Sequence, residues 1–310
     1  MIGRYWKKHL PKGSFILTLF SLIYLLGILF LEGLRMEHWA IILGINICFY
    51  AGKKSRKFIL GFAIFVVYGI IYDLLRVFPN YQYNPVDIAP IYNLEKELFG
   101  FVFNGIRVTP NEYFAMKHNV FVDFLAGIAY INWVPVPLAF AAYLFYTDRR
   151  MFLDFSLTFL LVNLLGFIIY YIHPAAPPWY VARNGFDLDL TTEGNSAGLS
   201  RFDQLIHLKV FGSIYSKNAN VFAAVPSLHC AYPLIVLYYG LKARCGWVNY
   251  LFGLLMAGIW FAAVYSGHHY VIDAILGVLC AIAGMTLYNQ LLLKTNFFTK
   301  FINHYLKLIT

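Results

Sequence analysis

Two histidines and one aspartate are the residues of this sequence whose types and spacing suit chemistry. His229 ends the tetrapeptide PSLH, and His269 begins the pentapeptide HYVID, which ends at Asp273. Residues four apart share one face of a helix, so His269 and Asp273 are expected to form a hydrogen bond. An aspartate that fixes a histidine tautomer orients a nucleophile, and a second histidine can act as general acid and base. The trio therefore predicts nucleophilic catalysis. The spacing leaves open which histidine attacks, and a buried structural pair is the alternative interpretation.

The composition shows which solvent surrounds these residues. Of the 310 residues, 60% are hydrophobic and only 13% are charged, whereas soluble domains are about 45–50% apolar and about 25% charged. A soluble fold would expose large apolar patches with such a composition. The sequence therefore predicts an all-α integral membrane protein.

Eight apolar segments are candidates to cross the bilayer. They are 15–34, 38–52, 58–78, 120–146, 152–172, 219–241, 247–265 and 268–292. The histidine motifs lie near the starts of the sixth and eighth segments. Because the chain crosses the bilayer twice between these two positions, both motifs are expected on the same side of the membrane.

The basic residues predict the orientation of these segments. Lysine and arginine clusters precede the first segment, follow the eighth, and occupy every second connection between them. Short basic loops stay in the cytoplasm, so both termini are predicted to be cytoplasmic. The histidines and the two long connections, 79–119 and 173–218, then lie on the other face. This distribution explains the net charge of +9 without a nucleic-acid partner.

The chain is predicted to form one membrane domain in three stretches. Residues 1–57 contain a basic segment and two transmembrane helices, residues 58–293 form the catalytic membrane core, and residues 294–310 form a basic cytoplasmic tail.

The two histidine motifs resemble the second and third signature motifs of the type 2 phosphatidic acid phosphatase superfamily. The segment APPWY, which precedes them, makes the chain similar to one branch of it, the fungal inositol phosphorylceramide synthases. The resemblance covers roughly residues 58–290 and implies a six-helix core. No metal or cofactor is predicted, because the acidic run Asp187, Asp189 and Glu193 lacks the spacing of a calcium loop. It also implies that His269 attacks phosphorus and forms a phosphohistidine, that Asp273 orients it, and that His229 serves as acid and then base. The implied donor is phosphatidylinositol, and the implied acceptor is a ceramide-like lipid.

The sequence departs from the superfamily where basic residues usually bind phosphate. The third motif begins with Ala262-Ala263 instead of Ser-Arg, and the first has Gly166 and His173-Pro174 instead of Lys and Arg-Pro. A phosphomonoester carries a charge of about −1.5 to −2, whereas a diester carries one negative charge. The sequence therefore favours a phosphodiester lipid as substrate.

Further residues near these motifs are candidates for substrate binding. They are His173, Trp179, Ser227, Ser266, His268, Arg76 and Asp123. Ser227 has an alternative role as a helix N-cap, and Arg76 as an ion-pair partner of Asp73. The amides of residues 224–227 are expected to form a helix N-terminus suited to an anion. Trp133, Pro135 and Pro137 are expected to kink the fourth segment.

Three functions follow from these observations. The favoured one is a phosphotransferase that moves a phosphoinositol or similar head group from a glycerophospholipid to a ceramide-like lipid. A lipid phosphatase acting on phosphatidate or isoprenoid phosphates is the first alternative. A non-enzymatic lipid transporter with structural histidines is the second.

Overall fold

The computed structural model describes Pro11 and residues 13–310. The predicted N-terminal basic cluster, Arg4, Lys7, Lys8 and Lys12, lies outside the described residues. In the first half of the chain the elements are α1 (Ser14–Leu31), α2 (Met36–Ala51), α3 (Lys53–Val77), α4 (Ala89–Phe99), β1 (Phe101–Phe103), β2 (Ile106–Val108), α5 (Pro110–Met116), α6 (Val120–Ile131) and α7 (Pro135–Thr147). In the second half they are α8 (Arg149–Ile172), α9 (Pro178–Asn184), α10 (Ser200–Ile206), α11 (Val210–Tyr215), α12 (Leu228–Lys242), α13 (Val248–Tyr265), α14 (Val271–Thr286) and α15 (Asn296–Ile309).

Each of the eight predicted segments contains a helix. Within the described part of the chain, six helical stretches are long and apolar enough to cross a membrane: α1, α3, α6 with α7, α8, α13, and α14 with the turns that extend it to Lys294. The shorter helices α2 and α12 complete the set. The all-α membrane fold predicted from the composition is confirmed.

Helix α8 forms the centre of the core. It packs against α3, α7, α12 and α14, and its side chains Phe152, Phe155 and Val162 are fully buried. Gly166 allows α12 to approach closely, because an added Cβ would lie 2.7 Å from the Leu228 side chain. At this position, where the superfamily has a lysine, the chain has a glycine that lets the two helices pack closely.

The sixth segment differs from its prediction. Residues 219–241 were expected to cross the membrane, but α12 begins only at Leu228. Pro226 has no N–H to donate, and the amides of Ala224 and Ser227 donate to the carbonyl oxygens of Ala175 and Asp273. These backbone N–H groups before Leu228 are thus hydrogen-bonded to neighbouring segments and do not form helical hydrogen bonds. With 15 residues, α12 is about 22 Å long, shorter than the ~30 Å hydrocarbon layer.

The fourth segment is broken where its prolines predict. Helix α6 ends at Ile131 and α7 begins at Pro135, so Trp133 lies in the break. A smaller difference from the prediction is the hairpin of β1 and β2. Its turn residues, Asn104 and Gly105, both have positive φ, and an Asn-Gly pair between apolar residues is a strong hairpin signal.

An ion-pair network joins α1 and α2 to α3. The Arg35 guanidinium lies 2.6 Å from the Asp73 carboxylate and 3.0 Å from that of Glu32. Glu32, His38 and Asp73 are close enough together to hold a metal ion, but Arg35 already bonds to both carboxylates. Arg76 is 4.0 Å from Asp73, so the expected pair between them is secondary to the Arg35 contact.

Candidate active site

The two histidines of the sequence motifs meet across two helices. His229 lies in the first turn of α12, and His269 lies in the turn between α13 and α14. The distance from Nδ1 of His229 to Nε2 of His269 is 3.0 Å, a hydrogen bond in which one ring donates and the other accepts. Residues forty positions apart therefore form one pair of interacting imidazoles.

Asp273 faces the opposite nitrogen of His269. Its Oδ2 lies 3.5 Å from Nδ1 and accepts a hydrogen bond of 2.8 Å from the backbone N–H of Tyr270. The 3.5 Å separation exceeds hydrogen-bond length, so the hydrogen bond expected from the four-residue spacing is not formed in this structure. Such contacts often shorten when substrate binds. Asp273 is thus placed behind His269, and Nε2 remains on the side of His229.

A close helix contact fixes the distance between the two motifs. The Ser227 N–H donates to the Asp273 carbonyl oxygen over 2.9 Å. At Gly277, one turn further along α14, an added Cβ would collide with the Ser227 carbonyl oxygen. Only glycine permits this approach, so the start of α12 and the start of α14 form a rigid pair.

Hydrogen bonds within the turn and from α5 hold the turn that carries His269. The N–H groups of His268 and His269 both donate to the Ala263 carbonyl oxygen, and Gly267 has a φ of +73°, which favours glycine. From α5, the Asn111 side chain donates to the carbonyl oxygens of Val264 and His269, each over 2.8 Å.

The second long connection also contacts this turn. The Trp179 N–H donates to the Gly267 carbonyl oxygen over 3.0 Å, and the Gly198 N–H donates to that of Ser266 over 2.8 Å. The segment identified by APPWY therefore helps to position the turn that carries His269.

Glu95 on α4 holds the start of α14. It is fully buried, and its two carboxylate oxygens accept from the N–H groups of Val271 and Ile272 over 3.0 and 3.1 Å. Burial raises the pKa of Glu95 to about 6, the two amide hydrogen bonds oppose this shift, and the charge of Asp273 adds to it. A carboxylate at a helix N-terminus also stabilises the helix dipole.

The protonation of His269 suits a nucleophile. Burial lowers its pKa to about 4, because the charged imidazolium loses solvation. His269 is therefore neutral at pH 7 and has a lone pair available for attack on an electrophile.

Aromatic side chains enclose the histidines in a cavity of about 110 Å³. The Trp133 ring lies 4.4 Å from that of His229, edge to face, and Tyr215 stacks on His268 at 4.2 Å. Among the described residues, no lysine, arginine, aspartate or glutamate lines this cavity. The cavity is thus poor in cations, as the departures from the superfamily motifs suggest.

Several other predicted residues occupy or border the cavity. His268 and Trp179 line it, and Nε2 of His268 lies 2.9 Å from the Ser196 carbonyl oxygen. Ser227 caps α12 through its hydroxyl, which accepts from the Cys230 N–H over 3.4 Å, as its alternative role predicts. Ser266 is buried and lines a second cavity on the outer side of the turn.

Three predicted residues lie away from the histidine cavity. His173 lies 3.1 Å from the carboxylate of Asp87. Asp123 is buried, where it pairs with Arg201 over 2.6 Å and accepts from the Tyr265 hydroxyl over 2.9 Å. Arg76 donates to the Lys217 carbonyl oxygen over 2.7 Å. Their present partners are protein groups, so a role in substrate contact stays a prediction.

The expected anion site at residues 224–227 is not a helix N-terminus. The helix begins at Leu228, and the amides of Ala224 and Ser227 already have backbone partners. Sequence reasoning also missed Glu95 and Asn111, whose partners are more than 150 residues away. Each lies in a polar and aromatic stretch of the sequence. The residues around Glu95 and Asn111 show no motif or periodicity that predicts their contacts with the start of α14 and the turn before it.

Comparison with known proteins identifies the family. A protein-family model described as the PAP2 superfamily matches residues 102–287. The chain belongs to the PAP2 superfamily. Its match includes both histidine motifs and all of the helices from α5 to α14.

This PAP2 protein is similar to curated lipid-processing enzymes. It is 49% identical to the phosphoinositol dihydroceramide synthase of Bacteroides thetaiotaomicron over 89% of this chain and 92% of that protein. It is 26% identical to the inositol phosphorylceramide synthase of Candida albicans over 78% of this chain and 50% of that protein. The catalytic subunit of the Saccharomyces cerevisiae inositol phosphorylceramide synthase is 27% identical over 67% of this chain and 50% of that protein. No solved structure shows a significant match.

The family and the apolar helices together establish the setting of the site. This PAP2 protein is an integral membrane protein.

Proposed function

We propose that this protein transfers a phosphoinositol head group from a glycerophospholipid to a ceramide-like lipid and releases diacylglycerol. The observation that carries the proposal is the 3.0 Å contact of His229 with His269 Nε2, with Asp273 behind the ring. The substrate class is supported by the activities for which the relatives are named, foremost the 49% identical synthase.

The reaction follows from these positions in two steps. In the first, Nε2 of His269 attacks phosphorus, and the bond from phosphorus to the diacylglycerol oxygen breaks. His229, which the bound phosphodiester anion keeps protonated, gives that oxygen its proton. In the second, neutral His229 takes the proton of the ceramide hydroxyl, whose oxygen attacks phosphorus and breaks the phosphorus–nitrogen bond. His269 returns to its neutral form, and His229 is protonated again.

The lining of the cavity supports a phosphodiester donor. A diester carries one negative charge, so its binding needs fewer cations than that of a monoester. Within the described part of the chain, no lysine or arginine lines the histidine cavity. The walls of the cavity are largely aromatic, which suits a lipid acceptor.

The proposed orientation places the site on the non-cytoplasmic face. Described basic clusters lie at the start of α3, at the start of α8 and after α12, at the helix ends opposite the histidines. By the positive-inside rule these ends are cytoplasmic.

Purified protein in detergent, given phosphatidylinositol and labelled ceramide, tests the proposal. Mass spectrometry should detect inositol phosphorylceramide and diacylglycerol with the wild type and neither with His269→Ala. Phosphate release from phosphatidate without any transfer would instead establish a phosphatase and contradict the proposal. Transfer that survives His269→Ala would refute the assigned nucleophile.

A further inference from the structure

A second and larger cavity lies on the outer side of the catalytic turn. Its volume is about 730 Å³, within the range of about 300–1,000 Å³ usual for small-molecule sites. Its walls come from α5, α9, the segment that leads into α10, and the turn from Tyr265 to Gly267 with Tyr270. The histidine cavity, at about 110 Å³, is too small for a complete lipid head group.

The walls of this outer cavity contain polar groups without partners. The Asn111 Oδ1, Ser266 Oγ and Tyr270 Oη atoms are buried and form no hydrogen bond within the described structure, and the same is true of Nη2 of Arg201. All four residues line the cavity. Buried polar atoms are nearly always paired, and leaving one unpaired costs about 1–3 kcal/mol. Several such atoms around one cavity indicate a ligand rich in hydroxyl groups.

The charges of the cavity favour an anion. Arg183 and Arg201 line it, and Glu112 is the one acidic lining residue in the described part of the chain. Both carboxylate oxygens of Glu112 are engaged, one with the Tyr92 hydroxyl and the other with the Thr109 N–H. Arg201 is paired with the carboxylate of Asp123 over 2.6 Å, so Arg183 is the lining cation without an ion-pair partner in the described part of the chain, and a guanidinium group suits an anion.

Two features connect the outer cavity to the histidines. The Trp179 side chain lines both cavities, and the backbone N–H of Trp179 donates to the Gly267 carbonyl oxygen. His268 lines the inner cavity and lies 2.9 Å from the carbonyl oxygen of Ser196, whose neighbours Asn195 and Ala197 line the outer one. The catalytic turn and the Trp179 side chain therefore form the wall between the two spaces.

We propose that the outer cavity binds the phosphorylated polyol head group of the donor lipid, with Trp179 as the side chain past which the head group reaches His269. This inference rests on the proposed function, since it assigns a place to the donor of that reaction. Hydroxyl groups of the ring pair with the unpaired wall atoms, and Arg183 attracts the negative head group.

Two substitutions in the cavity wall test the proposal without touching the histidines. Arg183→Gln removes one positive charge, and Ala182→Trp fills part of the cavity from α9. Each should raise the KM for phosphatidylinositol about tenfold, the loss expected for one charge-assisted hydrogen bond. The KM for ceramide and the kcat at saturating donor should stay within about twofold. Leu188→Trp, on an exposed loop outside the cavity, is the matched control and should behave as the wild type.

Direct binding separates this proposal from the proposed function. Calorimetry with soluble myo-inositol 1-phosphate should show binding to the wild type and to Leu188→Trp, weakened about tenfold in the two cavity variants. If the wild type makes inositol phosphorylceramide but the cavity variants keep the donor KM and the binding, the cavity proposal is wrong. If no transfer is seen but binding is lost in the variants, the cavity stands and the transferase assignment fails. Absence of both transfer and binding overturns both.

Discussion

The two ring nitrogens of His269 have different neighbours, and this difference determines what the residue can do. Nδ1 faces Asp273, whereas Nε2 faces His229 across 3.0 Å. A carboxylate next to Nδ1 favours the tautomer with the proton on Nδ1, which leaves the lone pair on Nε2. The proposed attacking atom is therefore the one that points to the second histidine.

Asp273→Asn should reduce kcat by a factor on the order of 10²–10⁴, with little change in the KM for the donor. An asparagine oxygen can still accept from the Tyr270 N–H, so the helix start keeps its cap while the charge behind His269 is lost. Steady-state kinetics and a thermal melt of the same preparation check this. Asp189→Asn, in an exposed loop, is the matched control and should change neither. An unchanged kcat in Asp273→Asn would show that the carboxylate does not orient His269.

Glu95 should make stability depend on pH in a defined direction. Its pKa is raised from the ordinary 4.5 to about 6 by burial, so the ionised form is disfavoured in the folded protein. The stabilisation is complete below pH 4.5 and is lost as pH rises through 6, by about 2 kcal/mol at 1.36 kcal/mol per pKa unit. Glu95→Gln does not titrate. The Tm of the wild type minus that of Glu95→Gln should therefore fall by a few degrees between pH 4.5 and 7. A difference that does not vary with pH would contradict the shifted pKa.

At the scale of helices and turns, the sequence predicts local features and misses distant ones. Hydropathy finds the apolar helices, and the four-residue spacing of His269 and Asp273 places them on one side of a helix start, because both patterns are local. The start of α12 at Leu228 depends instead on hydrogen bonds to Ala175 and Asp273. The contact of Asn111 with His269 joins residues 158 apart. Tertiary packing decides such contacts, and one sequence contains no periodic signal for them.

The contact between α12 and α14 provides a test at this scale. Gly277→Ala places a methyl group against the Ser227 carbonyl oxygen, so the two helix starts must move apart. A shift of about 1 Å between catalytic groups can cost about 10²-fold in rate. We expect Gly277→Ala to lose at least about tenfold in kcat and to lower the Tm.

Gly253→Ala on α13 is the matched control for this change. An added Cβ there meets no atom within 4 Å, and alanine has the higher helix propensity. Its activity should equal that of the wild type. Equal activity of Gly277→Ala and Gly253→Ala would show that the close helix contact does not set the distance between the histidines.

Across the whole molecule, the histidine turn lies at the helix ends opposite the short basic loops, although basic residues such as Arg183 and Arg201 also lie near the histidines. The histidine turn, the outer cavity and the connections that hold them occupy one end, and described basic clusters such as Lys53–Lys57 occupy the other. We therefore predict that the basic loops lie on the cytoplasmic side of the membrane and the histidine turn on the other side.

Single cysteines at the two ends test this sidedness. Lys54 lies at the start of α3 and Leu190 in the exposed outer connection. The partly exposed Cys48 and Cys245 are replaced first, and the buried Cys230 and Cys280 are kept. A membrane-impermeant maleimide should label Leu190→Cys in intact cells, because its loop lies on the side of the histidines. Lys54→Cys should be labelled only after the membrane is opened, because basic loops remain in the cytoplasm. Labelling of Lys54→Cys alone in intact cells would place the active site on the cytoplasmic face.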